Sequence, residues 1–310
     1  AISLFSSAYA DIHLEATAGG VGGTWYSTLG ALSGLLNEKD SSIRFTVSPG
    51  GGVANPGTIG EGKFDIGWVY PTFAKLAYEG KDVYQKEYKD LRIMATNFSP
   101  NYFELSMLAD SDISSLEEIF KEKRPVRFLT GKQSTSTGFF FIRLLQFYNS
   151  SVEEIESWGG KVLFRAYGDW AGLVQDGHVD IMFNQIALPS AVLQEILTYR
   201  DVKLLPFSED FRDYMAPKYA LEKVIIPAGT YGFLKEDIPS LRFGNALAVN
   251  KNVSDEAIYR ILEILDQNLE EVKSIHPSWK NFDTRNAWKN PGIPLHPAAE
   301  KFYKDKGYMK

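Results

Sequence analysis

The chain has 310 residues, more than one typical core accommodates, so two α/β-sized domains are expected. A net charge of −6 with no basic block argues against nucleic acid or an anionic membrane as partner; a small anionic ligand stays open, because nearby donors outweigh a distant net charge. No cysteine occurs, which removes disulfides, thiolate metal sites and cysteine nucleophiles together.

The segment Ala1 to Ala10 is apolar, small and uncharged and ends Ala8-Tyr9-Ala10 before Asp11, which fits a signal-peptide end with cleavage near Ala10 better than the alternative of an ordinary frayed N-terminus. No later stretch has the roughly 18 consecutive apolar residues that a membrane span needs. A soluble, exported protein without a span of its own, read as a monomer, is expected. Next, an alternating strand from Ile12 to Glu15 leads into Ala16-Thr17-Ala18-Gly19-Gly20-Val21-Gly22-Gly23-Thr24-Trp25-Tyr26, and Leu29, Leu32 and Leu36 continue at helical spacing. The glycines let backbone N–H groups approach a bound group, and the following helix start offers unpaired donors and a positive dipole end to an anion such as a carboxylate. Taken alone, the run serves equally well as a plain connecting turn.

A strand Ile43 to Val47 ends in a second glycine loop, Ser48-Pro49-Gly50-Gly51-Gly52, and a short helix then leads to a buried strand at Phe64 to Val69. Pro71 suits the first turn of a helix, where its missing N–H costs nothing. This β-α-β-α-β-α order implies a parallel sheet with helices on its faces. Strands at Leu91 to Thr96 and Tyr102 to Leu108 follow, and beyond Asp110 the pattern repeats. The strand Val126 to Thr130 opens through Gly131 to Gly138, rich in small hydroxyl residues, onto an apolar helix from Phe139 to Tyr148. Glu61-Gly62-Lys63-Phe64-Asp65-Ile66 and Asp176-Gly177-His178-Val179-Asp180-Ile181 share the form acid-Gly-x-x-Asp-Ile, each before a buried strand and a proline (Pro71, Pro189) expected to start the next helix. The chain thus carries two similar units whose strand-end loops correspond. A single strand Phe243 to Val249, a helix from Ser254 to about Glu270, and a tail Gly292 to Pro297 with a closing helix complete the reading; the tail is expected to brace the first unit.

The glycine run is no dinucleotide fingerprint, since position 25 is Trp25, and neither a phosphate loop nor a G-x-S-x-G elbow occurs. His13, His178, His276 and His296 lie far apart and form no metal or paired spacing. Asp65 and Asp180 suit turn caps at the strand starts better than a catalytic pair. Arg127 and Lys132 are candidate counter-ions for an anion, with a solvated lysine the ordinary alternative. Trp25, Tyr26, Tyr70 and Phe73 fall in or just after the loops, where Trp and Tyr suit the wall of a small-molecule site; Tyr26 and Phe73 equally suit packing of their helix onto the sheet, the better reading for Phe73, and Trp68 reads as core.

The segments Gly19 to Tyr26, Gly51 to Asn55, Gly62 to Gly67, Asp176 to Asp180, Ile226 to Tyr231 and Pro294-Leu295-His296-Pro297 resemble the TAXI type of solute-binding protein that serves TRAP (tripartite ATP-independent periplasmic) transporters. The resemblance implies an α/β, two-lobed type II periplasmic-binding-protein fold, with two Rossmann-like domains joined by two crossing segments. Lobe 1 would comprise residues 11–105 plus 240–310, and lobe 2 residues 106–239. It also implies a receptor, not an enzyme and without a cofactor, that closes on a small organic anion and delivers it to the TRAP transporter membrane subunits. Glutamate, glutamine or a related dicarboxylate such as 2-oxoglutarate are the implied ligands; the aromatic Trp68-Val69-Tyr70-Pro71 and the Ser134-Thr135-Ser136-Thr137 loop depart from the usual pattern and leave a bulkier or more apolar carboxylate open. Carried onto this chain, the ligand contacts are Gly22, Gly23, Thr24, Trp25, Tyr26, Asn55 and Tyr70, with Ser134, Thr135, Ser136, Thr137, Gln185 and Ala187. An enzyme on the same fold acting on a carboxylate or pyrimidine precursor is the alternative.

Overall fold

The computed structural model describes residues 11–19, 24–133 and 135–310. The expected leader remnant 1–10 lies outside them, as do Gly22, Gly23 and Ser134 among the expected ligand contacts. In chain order the elements begin β1 (Ile12–Thr17), α1 (Thr24–Lys39), β2 (Ile43–Ser48), α2 (Asn55–Gly60), β3 (Ile66–Val69), α3 (Pro71–Glu79) and β4 (Leu91–Ala95). There follow β5 (Pro100–Leu108), α4 (Leu116–Glu122), β6 (Arg127–Gly131), α5 (Ser136–Phe147), α6 (Val152–Ser157), β7 (Lys161–Arg165), α7 (Trp170–Gln175) and β8 (Ile181–Ile186). Next come α8 (Ala191–Ile196), β9 (Val202–Leu204), α9 (Glu209–Tyr219), β10 (Glu222–Ile226) and β11 (Ile238–Gly244). Last are β12 (Ala246–Asn250), α10 (Asp255–Gln267), α11 (Leu269–Ser274) and α12 (Pro297–Asp305).

These elements divide into two compact units, one of residues up to Ser99 with Asn245–Lys310, the other Pro100–Gly244. Boundaries at 105/106 and 239/240 would cut β5 and β11, yet both strands belong whole to the second unit, where Arg242 of β11 pairs with Tyr102 of β5. The single strand expected at Phe243 to Val249 is two strands of different sheets, parted at Asn245. Asn245 N–H bonds to Ser99 O at 3.1 Å, and Phe98 N–H to Asn245 O at 3.4 Å, so the two crossing chains stay paired up to the change of unit. An unbroken apolar run carries no mark of such a change.

In the first unit the sheet order is β2-β1-β3-β12-β4. The first three strands are parallel, while β12 runs antiparallel to both β3 and β4, because it is the chain returning from the second unit. The sheet is therefore mixed rather than wholly parallel. Every residue of β12 is buried, as a central strand covered on both faces requires. Helix α1 buries Thr28, Leu29, Leu32 and Leu36, one stripe at helical spacing. The tail adds a bridge at Leu295 beside β4, with Ile93 N–H bonding to Pro294 O at 3.1 Å and His296 N–H to Ile93 O at 2.8 Å. Phe302 of α12 then packs edge-on against Tyr259 of α10, 5.4 Å between ring centres.

The second unit carries the order β10-β11-β5-β8-β6-β7, with β9 also pairing β5. Here β6, β7 and β8 are parallel and β5 is antiparallel to β8.

The internal repeat has a shared physical cause. Asp65 N–H bonds to Glu15 O at 2.8 Å, and Asp65 Oδ2 accepts Glu15 N–H at 2.8 Å. In the second unit Asp180 N–H bonds to Arg127 O at 3.0 Å, and Asp180 Oδ2 accepts Arg127 N–H at 2.8 Å. Each aspartate clamps the neighbouring parallel strand, Asp65 at Glu15 within β1 and Asp180 at Arg127 where β6 begins, and the glycine three residues earlier turns the chain with φ 72° in both copies. Arg127 spends its guanidinium on Asp180 and on Gly177 O at this strand-start edge, so it is not the anion counter-ion considered from sequence.

Candidate ligand-binding site

Because β1, β2 and β3 run parallel, their C-terminal ends and the starts of α1, α2 and α3 fall on one edge, where open α/β sheets place ligands. Asn55 is the junction of that edge. Its Oδ1 accepts Gly51 N–H at 2.8 Å and the Thr17 hydroxyl at 3.1 Å; its Nδ2 donates to Ala18 O and Trp68 O, both at 2.7 Å. An amide has two donor hydrogens and two acceptor lone pairs, and all four are used. Asn55 is also fully buried, so it braces the loops of three strands and offers nothing to a ligand, contrary to the contact carried over from the family resemblance. Gly50 is obligatory here: a Cβ built on it would lie 2.2 Å from both Asn55 Oδ1 and Thr17 Oγ1.

Over this braced edge sit the aromatics. Trp25 and Tyr70 are half-buried with ring centres 4.6 Å apart and tilted by 50°. Tyr26, also half-buried, directs its hydroxyl to Val47 O at 3.4 Å, and Thr24 is exposed at the start of α1. Phe73 is fully buried, as is Trp68, which packs edge-on against Phe98 and Trp279 at 4.9 and 5.5 Å. The first unit thus presents Thr24, Trp25, Tyr26 and Tyr70 at the loops, while Phe73 and Trp68 hold the core.

In the second unit the corresponding edge is formed by the ends of β6, β7 and β8. Thr135 caps α5, its hydroxyl accepting Gly138 N–H at 3.3 Å and donating to Lys132 O at 2.6 Å. That satisfies one of the unpaired donors at the helix start. Thr137 is buried and shares a 2.9 Å hydrogen bond with the Tyr167 hydroxyl, which lies 3.5 Å from Gln185 O. Ser136 and Ala187 are half-buried at the same edge, and Lys132 is exposed.

Gln185 is the anomaly. Its side chain is only 6% exposed, yet neither amide atom has a hydrogen-bond partner among the described residues. Leaving such a group unpaired costs about 1–3 kcal/mol, which makes this buried amide a candidate contact for a ligand. The Thr130 hydroxyl, fully buried near the end of β6, is in the same condition. The β6–β8 register sets Phe128 opposite Ile181 and Leu129 opposite Met182, which puts Thr130 and Gln185 on one face of adjacent strands. Gln185 is among the contacts expected from the sequence; Thr130 and Tyr167 are not. The available signal was a hydroxyl closing the apolar Phe128-Leu129, and a tyrosine in the second strand-end loop of the second unit, after β7.

Among the described residues, Trp68 Nε1 and the Ser150 hydroxyl are also buried without a partner, Trp68 within the core of the first unit. A surface hollow of about 410 Å³ near Asp110, Arg124 and Asp180 contains Arg124, already paired with Asp112 at 2.6 Å and Glu118 at 3.0 Å. His296 is buried; its Nδ1 accepts Ala298 N–H at 3.3 Å to cap α12, and burial lowers its pKa. Pro189 does not begin a helix as Pro71 does; Ser190 intervenes as the cap of α8, its hydroxyl accepting Leu193 N–H at 3.2 Å.

Two α/β units with parallel strand ends and helix starts on one edge define the type II periplasmic-binding-protein fold. PhnD1 from Prochlorococcus marinus, in complex with methylphosphonate, is similar in structure with a TM-score of 0.55 at 12% identity, covering 96% of this chain and 99% of that one. XAC2383 from Xanthomonas citri, bound to ATP, matches with a TM-score of 0.53 at 10% identity over 94% of this chain and 98% of that one. The chain belongs to the NMT1-like family, whose model matches residues 16–307. No helix among the described residues is long and apolar enough to cross a membrane.

Proposed function

We propose that this protein is an extracytoplasmic solute-binding protein that captures a small organic anion at the strand-end loops of its units and delivers it to a membrane permease. The observation that carries the reading is Gln185, a buried amide at a strand end with both polar atoms unpaired among the described residues. Around it stand the capped start of α5, the Thr137–Tyr167 pair and the Thr130 hydroxyl, all neutral hydrogen-bonding groups. In the first unit, helix starts and the Trp25–Tyr70 wall supply donors and apolar area. A neighbour of the same fold bound to methylphosphonate supports an anionic ligand, and the TAXI resemblance supports a carboxylate and a TRAP permease.

A catalytic reading needs a titrating group that substrate can reach. Glu104 comes nearest in chemistry, since burial pushes its carboxyl up to about 7, but it is 1% exposed and bonded to Tyr231 beneath the loops. Binding without catalysis is therefore the better account. A thermal-shift screen of amino acids, dicarboxylates, aromatic acids and phosphonates tests it. A binder present at about 100 times its Kd stabilises the native state by about 2.7 kcal/mol and raises the melting temperature. Turnover of any of these compounds, with no anion raising the melting temperature, would overturn the proposal.

A further inference from the structure

Residues 187–190 join β8 to α8, separated from Gln185 by Ile186 alone, and three side chains fix this connection from the face of the sheet opposite Gln185. Consecutive residues of a strand point to opposite faces, so Asn184 lies on that other face, with Glu104 of β5 as its cross-strand partner. Asn184 Oδ1 accepts Gln185 N–H at 2.8 Å, and its Nδ2 lies 3.5 Å from Ser190 Oγ. The Tyr231 hydroxyl accepts Ser190 N–H at 2.8 Å and donates its own proton to the Glu104 carboxylate. Ser190 is fully buried, Tyr231 3% exposed and Glu104 1% exposed.

We propose that Glu104 is a positioning residue for the ligand loop: its carboxylate, acting through Tyr231, holds Ser190 and so fixes residues 187–190, and protonation of Glu104 loosens that hold. The proposal rests on the reading of this loop as a ligand contact. An ionised carboxylate makes a hydrogen bond roughly twice as strong as a neutral acceptor does, and it polarises the tyrosine hydroxyl that receives Ser190 N–H. Burial without an offsetting cation pushes Glu104 up to about 7, so the change of hold falls near neutral pH. The groups facing it are accounted for. Tyr231 is the hydrogen-bond donor from the segment after β10, and Tyr167, after β7, lies within electrostatic reach. On β8 stands the neutral Asn184; on β11, Ser240 spends its hydroxyl on Phe103 O and Leu241 O, and Arg242 is engaged by Glu222 at 2.8 Å.

Amide hydrogen exchange at Ser190 in the ligand-free protein reads the hold directly. Protection against local opening, corrected for intrinsic exchange and read where it lies below that of the globally exchanging core amides, is expected to be several-fold to about tenfold greater at pH 8 than at pH 6 in the wild type, a ratio set by the gain of a charge-assisted over a neutral bond. Glu104→Gln should remove the pH dependence, and Tyr231→Phe should lower protection at both pH values. A wild-type Ser190 amide whose protection does not change with pH, or a Glu104→Gln variant that keeps the change, overturns the proposal. Calorimetric titration with 2-oxoglutarate and with L-glutamate at both pH values separates the two readings. Tighter binding at pH 8 that becomes pH-independent in Glu104→Gln supports the relay. Neither probe binding, with the Ser190 response intact, counts against the solute reading while the relay stands.

Discussion

Replacing Gln185 by Met removes two buried polar atoms and leaves the packing nearly unchanged, because the thioether chain is unbranched, similar in length and adaptable. In the ligand-free protein both amide atoms are without partners, and the residue lies opposite Phe103 in the β5–β8 ladder, on a face that also carries Phe183. The polar group therefore costs about 1–3 kcal/mol where it stands, and an apolar replacement regains that together with a little transfer energy. The ligand-free Gln185→Met variant is expected to be more stable than the wild type by about 1–2 kcal/mol. Urea denaturation with an unchanged m-value measures it. A loss of stability of about 1 kcal/mol or more would show that the amide already has its partners and would remove the observation on which the site rests.

Other substitutions probe other parts of the account. Asn55→Asp keeps the two acceptor contacts and sets an oxygen against Ala18 O and Trp68 O, so it should cost about 3–5 kcal/mol at pH 7. The loss should shrink at pH 4, where a proton restores one donor; equal stability at the two pH values in urea melts would refute the bracing role. Gly50→Ala, blocked by the same junction, should also destabilise, by about 1–3 kcal/mol in the same assay. Glu104 supplies a pH test of sign. Its folded pKa of about 7 lies above the ordinary 4.5, so its burial is without charge penalty at low pH. As pH rises through that window the wild type should lose about 3 kcal/mol, a loss absent from Glu104→Gln and measurable as a difference of denaturation midpoints between pH 4.5 and pH 8. Thr135→Val should cost about 1 kcal/mol by uncapping α5, and Thr135→Ser should restore it.

What the sequence discloses and what it hides follow from the range of the interactions. Strands with alternating burial, the glycine turns at 62 and 177, and Ser254 capping α10 through Ala257 N–H are written in neighbours a few residues apart. The repeat Asp65 and Asp180 was legible for the same reason, although the bonds to Glu15 and Arg127 span 50 and 53 residues. Asn55 was placed at the right edge with the wrong role, because its saturation depends on three strands meeting: Thr17, Ala18, Gly51 and Trp68 bring the partners. Arg127 stood as a candidate counter-ion for want of knowing that Asp180 lies beside it. Glu104, Tyr231 and Ser190 form one chain of bonds across 127 residues, and nothing in the local pattern of any of the three announces it.

The central claim is that a small organic anion binds at the strand-end loops and that Gln185 contacts it. Calorimetric titration of the strongest thermal-shift ligand into the wild type and into Gln185→Met tests both parts at once. Saturable one-to-one binding to the wild type is expected, weakened at least tenfold in the variant that is itself more stable without ligand, since a hydrogen bond to a charged group is worth about 1.5–3 kcal/mol. Equal affinity of the two proteins, or turnover in place of binding, would contradict the account.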